Sequence, residues 1–221
     1  MSRVVTIQWP VASTTAVALL QTAAAGAPLL INGTLANNGS VVLPSIERVI
    51  TLTSAADLHL ITFTITGLDG LGNPVSVTRA GPNANTVATT QKFNQVTSIT
   101  PDLTVASNVS AGTGTTGSTI WFLSDYYRTN NSLACFVSVT ATFNYTFQTT
   151  FDDPVVVASP LTLAPVDGVT VPTVPAATTM TSATTSVLVN YTIPTHSARI
   201  NVNSSNATGA ATIYFLQQGV R

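Results

Sequence analysis

The sequence is poor in charge, and most of what it excludes follows from that. Of its 221 residues only 7% are Asp, Glu, Lys or Arg, against roughly a quarter in an ordinary soluble domain. Lys92 is the only lysine and the six arginines are scattered. No basic patch exists to neutralise phosphates, so nucleic-acid binding is not expected. Cysteine is nearly absent too. Cys135 stands alone, which rules out an intrachain disulfide, and no Cys/His grouping has metal-ligand spacing. Long apolar runs are lacking as well. Residues 11–31 are interrupted by Ser13, Thr14, Thr15, Gln21 and Thr22 and broken at Gly26-Ala27-Pro28. Their longest apolar run, Ala16 to Leu20, is far short of the ~18 residues that cross a bilayer, so neither a membrane helix nor a signal peptide is expected.

What fills the gap is Thr, Ser, Asn, Val and Ala, with 45% of the chain hydrophobic. Low charge accompanies disorder when hydrophobicity is also low; here strand formers dominate and the chain should fold. A net charge of −1 gives little of the self-repulsion that keeps free proteins apart. The composition therefore points to a surface that packs against neighbours, copies of itself included.

The strongest local pattern lies at residues 137–151. Val137, Val139, Ala141, Phe143, Tyr145, Phe147 and Phe151 alternate with Ser138, Thr140, Thr142, Asn144, Thr146, Gln148 and Thr150. A period of two predicts a strand with one apolar and one polar face. At roughly 3.3 Å per residue it would reach about 50 Å, longer than one sheet usually needs, so it is expected to serve two sheets or an extended assembly. Shorter strands are predicted at 29–35, 41–43, 48–53, 60–66, 75–79, 86–93, 96–100, 103–109, 119–123, 186–193, 198–203 and 211–218. Gly67, Gly70 and Gly72 lie between two of them. No helix follows and no Lys-Ser/Thr closes the loop, so it reads as a hairpin turn and not a phosphate cradle. Residues 111–117, rich in Gly and Thr, read as a hinge. Pro154, Pro160, Pro165, Pro172 and Pro175 predict an extended loop or edge excursion. The expected fold is all-β: two β-sandwich or jelly-roll-like modules, 29–114 and 115–221, preceded by an extended N-terminal arm over 1–28.

Candidate chemistry is thin. Asp152-Asp153, with Asp125, could offer oxygens to a hard cation, but paired aspartates before a proline more often cap a turn. His59 and His196 are far apart, and nothing in the sequence sets either beside an activated Ser or Cys. Cys135 reads as a small buried hydrophobe. Lys92 beside Phe93 is weak grounds for an isopeptide bond. The eight Asn-x-Ser/Thr matches follow from composition and carry no weight. Trp9, Trp121, Tyr126 and Tyr127 could stack on sugars or act as core or interface anchors, the commoner role. Phe143, Tyr145 and Phe147 join them as anchors. No catalytic residue, metal site or cofactor is expected.

One resemblance covers nearly the whole chain except the first 28 residues. Ile120-Trp121-Phe122-Leu123-Ser124-Asp125-Tyr126-Tyr127, Asn144-Tyr145-Thr146-Phe147-Gln148-Thr149-Thr150-Phe151-Asp152-Asp153-Pro154, Ala198-Arg199-Ile200-Asn201-Val202 and Phe215-Leu216-Gln217-Gln218-Gly219 resemble a β module of tailed-bacteriophage structural proteins. Leu30-Ile31-Asn32-Gly33-Thr34-Leu35, Arg48 to Asp57 and Gly81-Pro82-Asn83-Ala84 resemble a second module joined to it in virion proteins. The resemblance implies a virion structural role, with the chain assembled in the host bacterial cytoplasm as a homo-oligomer. It implies other virion proteins as partners, the major capsid protein first, and no enzymatic activity.

Overall fold

The computed structural model describes residues 3–124, 133–140, 142–150, 153–154, 166–167, 183–191, 196–205 and 208–217. Tyr126, Tyr127, Asp125, Asp152, Phe151 and most of the proline-rich segment lie outside them. No helix occurs among the described residues, and none is long and apolar enough to cross a membrane. The strands in chain order are β1 (Arg3–Trp9), β2 (Ser13–Ala23), β3 (Ala36–Asn37), β4 (Ser40–Val42), β5 (Ile46–Thr53), β6 (Thr62–Leu68), β7 (Pro74–Ala80), β8 (Thr86–Phe93) and β9 (Gln95–Pro101). They continue with β10 (Val105–Thr119), β11 (Phe122–Leu123), β12 (Leu133–Thr140), β13 (Phe143–Thr150), β14 (Val166–Asp167), β15 (Val187–Tyr191), β16 (Ser197–Ser205) and β17 (Ala210–Gln217). The fold is all-β, and the chain divides into two compact units: Ala12–Gly117, and Met1–Val11 with Ser118–Arg221. The first is inserted into the sequence of the second, which we call the split unit. This differs from the expected serial order of an arm and two modules.

In the split unit a four-stranded sheet runs β1-β17-β12-β15, and a second ladder runs β14-β13-β16 with β11 on β16. The inward residues meet between them. Ile7, Trp9, Cys135, Val137, Ile213 and Phe215 come from the sheet, and Phe122, Phe143, Tyr145, Ile200 and Val202 from the ladder, all buried. Trp9 meets Phe143 edge-on with centroids 6.2 Å apart, and Phe122 stacks on Phe215 at 5.2 Å. Each such ring contributes about 1.5–3 kcal/mol through the area it removes from water.

The predicted strand over 137–151 is two strands, β12 and β13, in different sheets. Odd positions point inward in both, but the chain turns the corner between Thr140 and Phe143. The expected arm over 1–28 is, among the described residues, two paired strands. β1 pairs β17 without a slip from Arg3↔Gln217 to Trp9↔Ala211, because Ile7 and Trp9 need a core to bury against. β2 pairs β10.

In the inserted unit a five-stranded sheet runs β3-β4-β9-β6-β7, and a ladder runs β10-β5-β8 with β2 on β10. The expected hinge at 111–117 is strand, and its glycines are there for close approach: a Cβ on Gly112 would lie 1.8 Å from the Ser13 carbonyl oxygen and 2.5 Å from the Thr14 carbonyl carbon. Arg48 is wholly buried and its guanidinium donates to the Gly114 carbonyl. Burial lowers its pKa to about 10. The expected strand over 29–35 is irregular chain that ends in a turn at 33–35, held by backbone bonds from Leu29, Gly33 and Leu35 and by side-chain amides. The Gln21 amide donates to the Leu30 carbonyl at 2.9 Å and accepts from the Leu30 N–H at 2.8 Å, doing the work of a paired backbone. The hairpin at 67–74 forms as predicted, β6 against β7. Its turn is closed by the Asp69 carboxylate, which accepts the N–H groups of Leu71 at 2.9 Å and Asn73 at 2.8 Å. A carboxylate already holds the donors that a phosphate would need.

Candidate assembly interface

In a half-buried strand the outward residues are ordinarily polar. The four-stranded sheet of the split unit departs from this. Its cross-strand register sets three rows on the outward face: Val4, Leu216 and Ala134; Thr6, Tyr214, Phe136 and Leu188; Gln8, Thr212 and Ser138. Val4 is 58% exposed, Leu188 63%, Leu216 40%, Phe136 37% and Tyr214 36%. Phe136 and Tyr214 stack on one another at 5.9 Å with 22° between their planes. The flanking polar groups are neutral; the Thr212 hydroxyl donates to the Gln8 amide oxygen at 3.0 Å, and the Thr140 hydroxyl to the Ala210 carbonyl at 3.1 Å. None of these outward residues is charged. Apolar surface that is contiguous and rimmed by polar groups is the kind that binds partners. The sequence carries the signal as two unbroken apolar runs, Leu133 to Val137 and Ile213 to Leu216, where alternation fails because both faces are apolar.

The predicted anchors fall elsewhere. Trp9, Phe143, Tyr145 and Phe147 are core residues, with the Tyr145 hydroxyl donating to the Thr185 carbonyl at 2.8 Å. Trp121 is brought beside Arg199, whose guanidinium lies 4.4 Å from the ring centroid and whose Nε donates to Gln148 Oε1 at 2.8 Å. Further along the same polar face the Asn203 amide donates to Asn144 Oδ1 at 2.7 Å and Thr146 Oγ1 at 3.0 Å, and accepts from Asn201.

Sequence reasoning set no Ser beside a histidine, yet the His196 Nδ1 lies 2.8 Å from Ser197 Oγ and its Nε2 is 3.9 Å from Asp153 Oδ2. The Ser197 hydroxyl has no access to a substrate, because the residue is wholly buried, and the carboxylate is beyond hydrogen-bond length. The His59 Nδ1 meets Asp57 Oδ1 at 2.6 Å in the open. Cys135 is buried, and burial pushes its thiol pKa up, which keeps it protonated and unreactive. Among the described residues no group of His, Cys, Asp and Glu could hold a metal ion. No family model, curated protein or solved structure matches the chain.

Proposed function

We propose that the chain is a structural virion protein of a tailed bacteriophage, a capsid decoration or cement protein that stabilises the head by bridging neighbouring subunits. The observation that carries the reading is the outward face around Phe136 and Tyr214, an uncharged apolar surface on an all-β sheet. The resemblance of residues 120–127, 144–154 and 215–219 to virion modules supports the phage context. The mechanism is passive. Binding to the assembled shell and not to its separated subunits stabilises the shell by mass action, and many copies act together through avidity. The experiment is the copy number of this chain relative to the major capsid protein in purified particles, by quantitative mass spectrometry. A number comparable to the capsid protein is expected. A number that fits a single ring or a few fibres would move the protein to the tail or head–tail junction, and absence from particles would overturn the virion role.

A second reading, a carbohydrate-binding adhesin, is favoured by the half-buried Trp121 with the Arg199 guanidinium over its ring, since an indole and a guanidinium together offer a stacking surface and hydroxyl-binding donors. Glycan-array binding that is lost in Trp121→Ala would favour it over assembly.

A further inference from the structure

We propose that the outward face of the four-stranded sheet binds a second copy of this chain, sheet on sheet, about a two-fold axis parallel to the strands between β17 and β12. The proposal rests on the assembly reading above and names its partner. A contact with two-fold symmetry sets one patch against itself, so any charge on it is opposed by a like charge. This face carries none at Val4, Thr6, Gln8, Ala134, Phe136, Ser138, Leu188, Thr212, Tyr214 or Leu216. It can meet its own copy without repulsion.

The register also matches. An axis along the strands keeps each row opposite the same row of the other copy and reverses the strand order. Tyr214 then faces the other copy's Phe136, Leu216 faces Ala134, and the Gln8, Thr212 and Ser138 row meets its own amides and hydroxyls. At the two central strands apolar groups meet apolar groups and polar meet polar, while at the edges Thr6 faces Leu188. Sheets packed face to face in this way lie about 10 Å apart with strands within about 30° of one another.

The size sets the strength. Four strands ~4.8 Å apart and about 24 Å long give a footprint of roughly 450 Å² on each copy, or about 900 Å² for the pair before side-chain relief is counted. That is below the size of stable specific interfaces and in the range of weak, transient ones. The pair is therefore weak between free copies and sustained where copies are held close together, as on a particle.

The experiment is sedimentation velocity of the purified chain over a concentration series, with Phe136→Asp on the face and Leu60→Asp as control. Leu60 is 75% exposed in the inserted unit, so the control makes the same change of polarity away from the face. The wild type and Leu60→Asp should shift from monomer to dimer as concentration rises, while Phe136→Asp stays monomeric at every concentration with an unchanged circular dichroism spectrum. Should Phe136→Asp fail to fold, Leu188→Asp at the sheet edge makes the same test, since that side chain is more exposed. A wild type that is monomeric throughout overturns the proposal, as does a dimer that survives the folded face variants or is lost in Leu60→Asp. A monomeric wild type that binds major capsid protein through Phe136 overturns it in favour of that partner. The assay needs no particle. Absence from virions would sink the phage role and leave the dimer standing, and a monomer would sink the dimer alone.

Discussion

Changing Gly112 to Ala separates two accounts of residues 111–117 by the sign of its effect. At a flexible hinge, Gly→Ala stabilises by about 0.4–1 kcal/mol because the unfolded chain loses freedom. In the structure Gly112 sits inside β10 against β2, where the new methyl would land 1.8 Å from the Ser13 carbonyl oxygen and 2.6 Å from the Thr14 Cα. Both are backbone atoms, so no rotamer change makes room. β2 must withdraw, and the flanking pairs Ala111↔Ala18 and Thr113↔Ser13 open with it. Overpacking costs about 1–3 kcal/mol and each lost ladder bond about 1 kcal/mol; the sum is a loss of about 3 kcal/mol. At a urea slope of about 2 kcal/mol per molar, the midpoint falls by roughly 1.5 M. Gly114→Ala is the internal comparison. Its methyl meets the Val49 Cγ2 at 2.4 Å, a side chain that can turn aside, so the loss should be nearer 1 kcal/mol. The readout must come from the inserted unit itself. Trp9 and Trp121 both belong to the split unit, so tryptophan fluorescence would miss the change, and hydrogen exchange at β2 and β10 amides against urea is the suitable assay. An unchanged or raised midpoint for Gly112→Ala would refute the close-approach argument.

Three further outcomes follow from individual groups. Phe143→Asp should abolish folding, since an unpaired charge would replace a ring buried against Trp9 at a cost of several kcal/mol, while Thr142→Asp, at an exposed corner, should leave soluble yield unchanged; equal yields would contradict the inward assignment of odd residues. Cys135 is buried with its thiol held protonated, so iodoacetamide should label it only as the split unit unfolds, and rapid labelling of the native protein would show the site open. The hydrogen bond from His59 holds the Asp57 carboxyl below its ordinary value of 3.8. The stabilisation this gives is complete above the unfolded-state value and fades as pH falls through the lower folded value. His59→Ala should raise the Asp57 midpoint toward the ordinary value in an NMR titration, with the backbone N–H of residue 59 still donating, and an unmoved midpoint would remove the side-chain pair as the cause.

How far the fold could be read depended on whether the deciding partner was local. The alternation through Phe143, Tyr145 and Phe147 settles which side faces the core, because a strand's faces are fixed by parity alone. The same alternation hides the corner. Ala141 and Thr142 keep the period, so nothing in composition separates β12 from β13. Val5, Ile7 and Trp9 announce a strand, yet its partner β17 lies at the other end of the chain, and no local pattern names a partner. Gly112 of β10 reads as freedom because its neighbour β2 is invisible to sequence. For the candidate interface the signal was present and ambiguous. Leu133 to Val137 and Ile213 to Leu216 are apolar on both faces, which fits a strand buried on both sides as well as one that offers a face to a partner.

The insertion also orders the folding of the chain. In the inserted unit β6 pairs with the nearby β7 and β9, whereas the Gln8 and Thr212 side chains that meet across β1 and β17 are 204 positions apart. Closing so large a loop costs entropy before any contact repays it. The inserted unit should therefore complete first. In refolding followed by pulsed hydrogen exchange, amides of β6, β7 and β9 should gain protection before those of β1 and β17; simultaneous protection, or β1 and β17 first, would refute the ordering. The outward face inherits the same delay. Val4 comes from the first strand, Phe136 from the middle of the chain, and Tyr214 and Leu216 from the last strand, so the rows exist only when both ends have met. The proposed contact surface is thus withheld from partly folded chains, whose exposed apolar runs would otherwise find one another before either copy is complete.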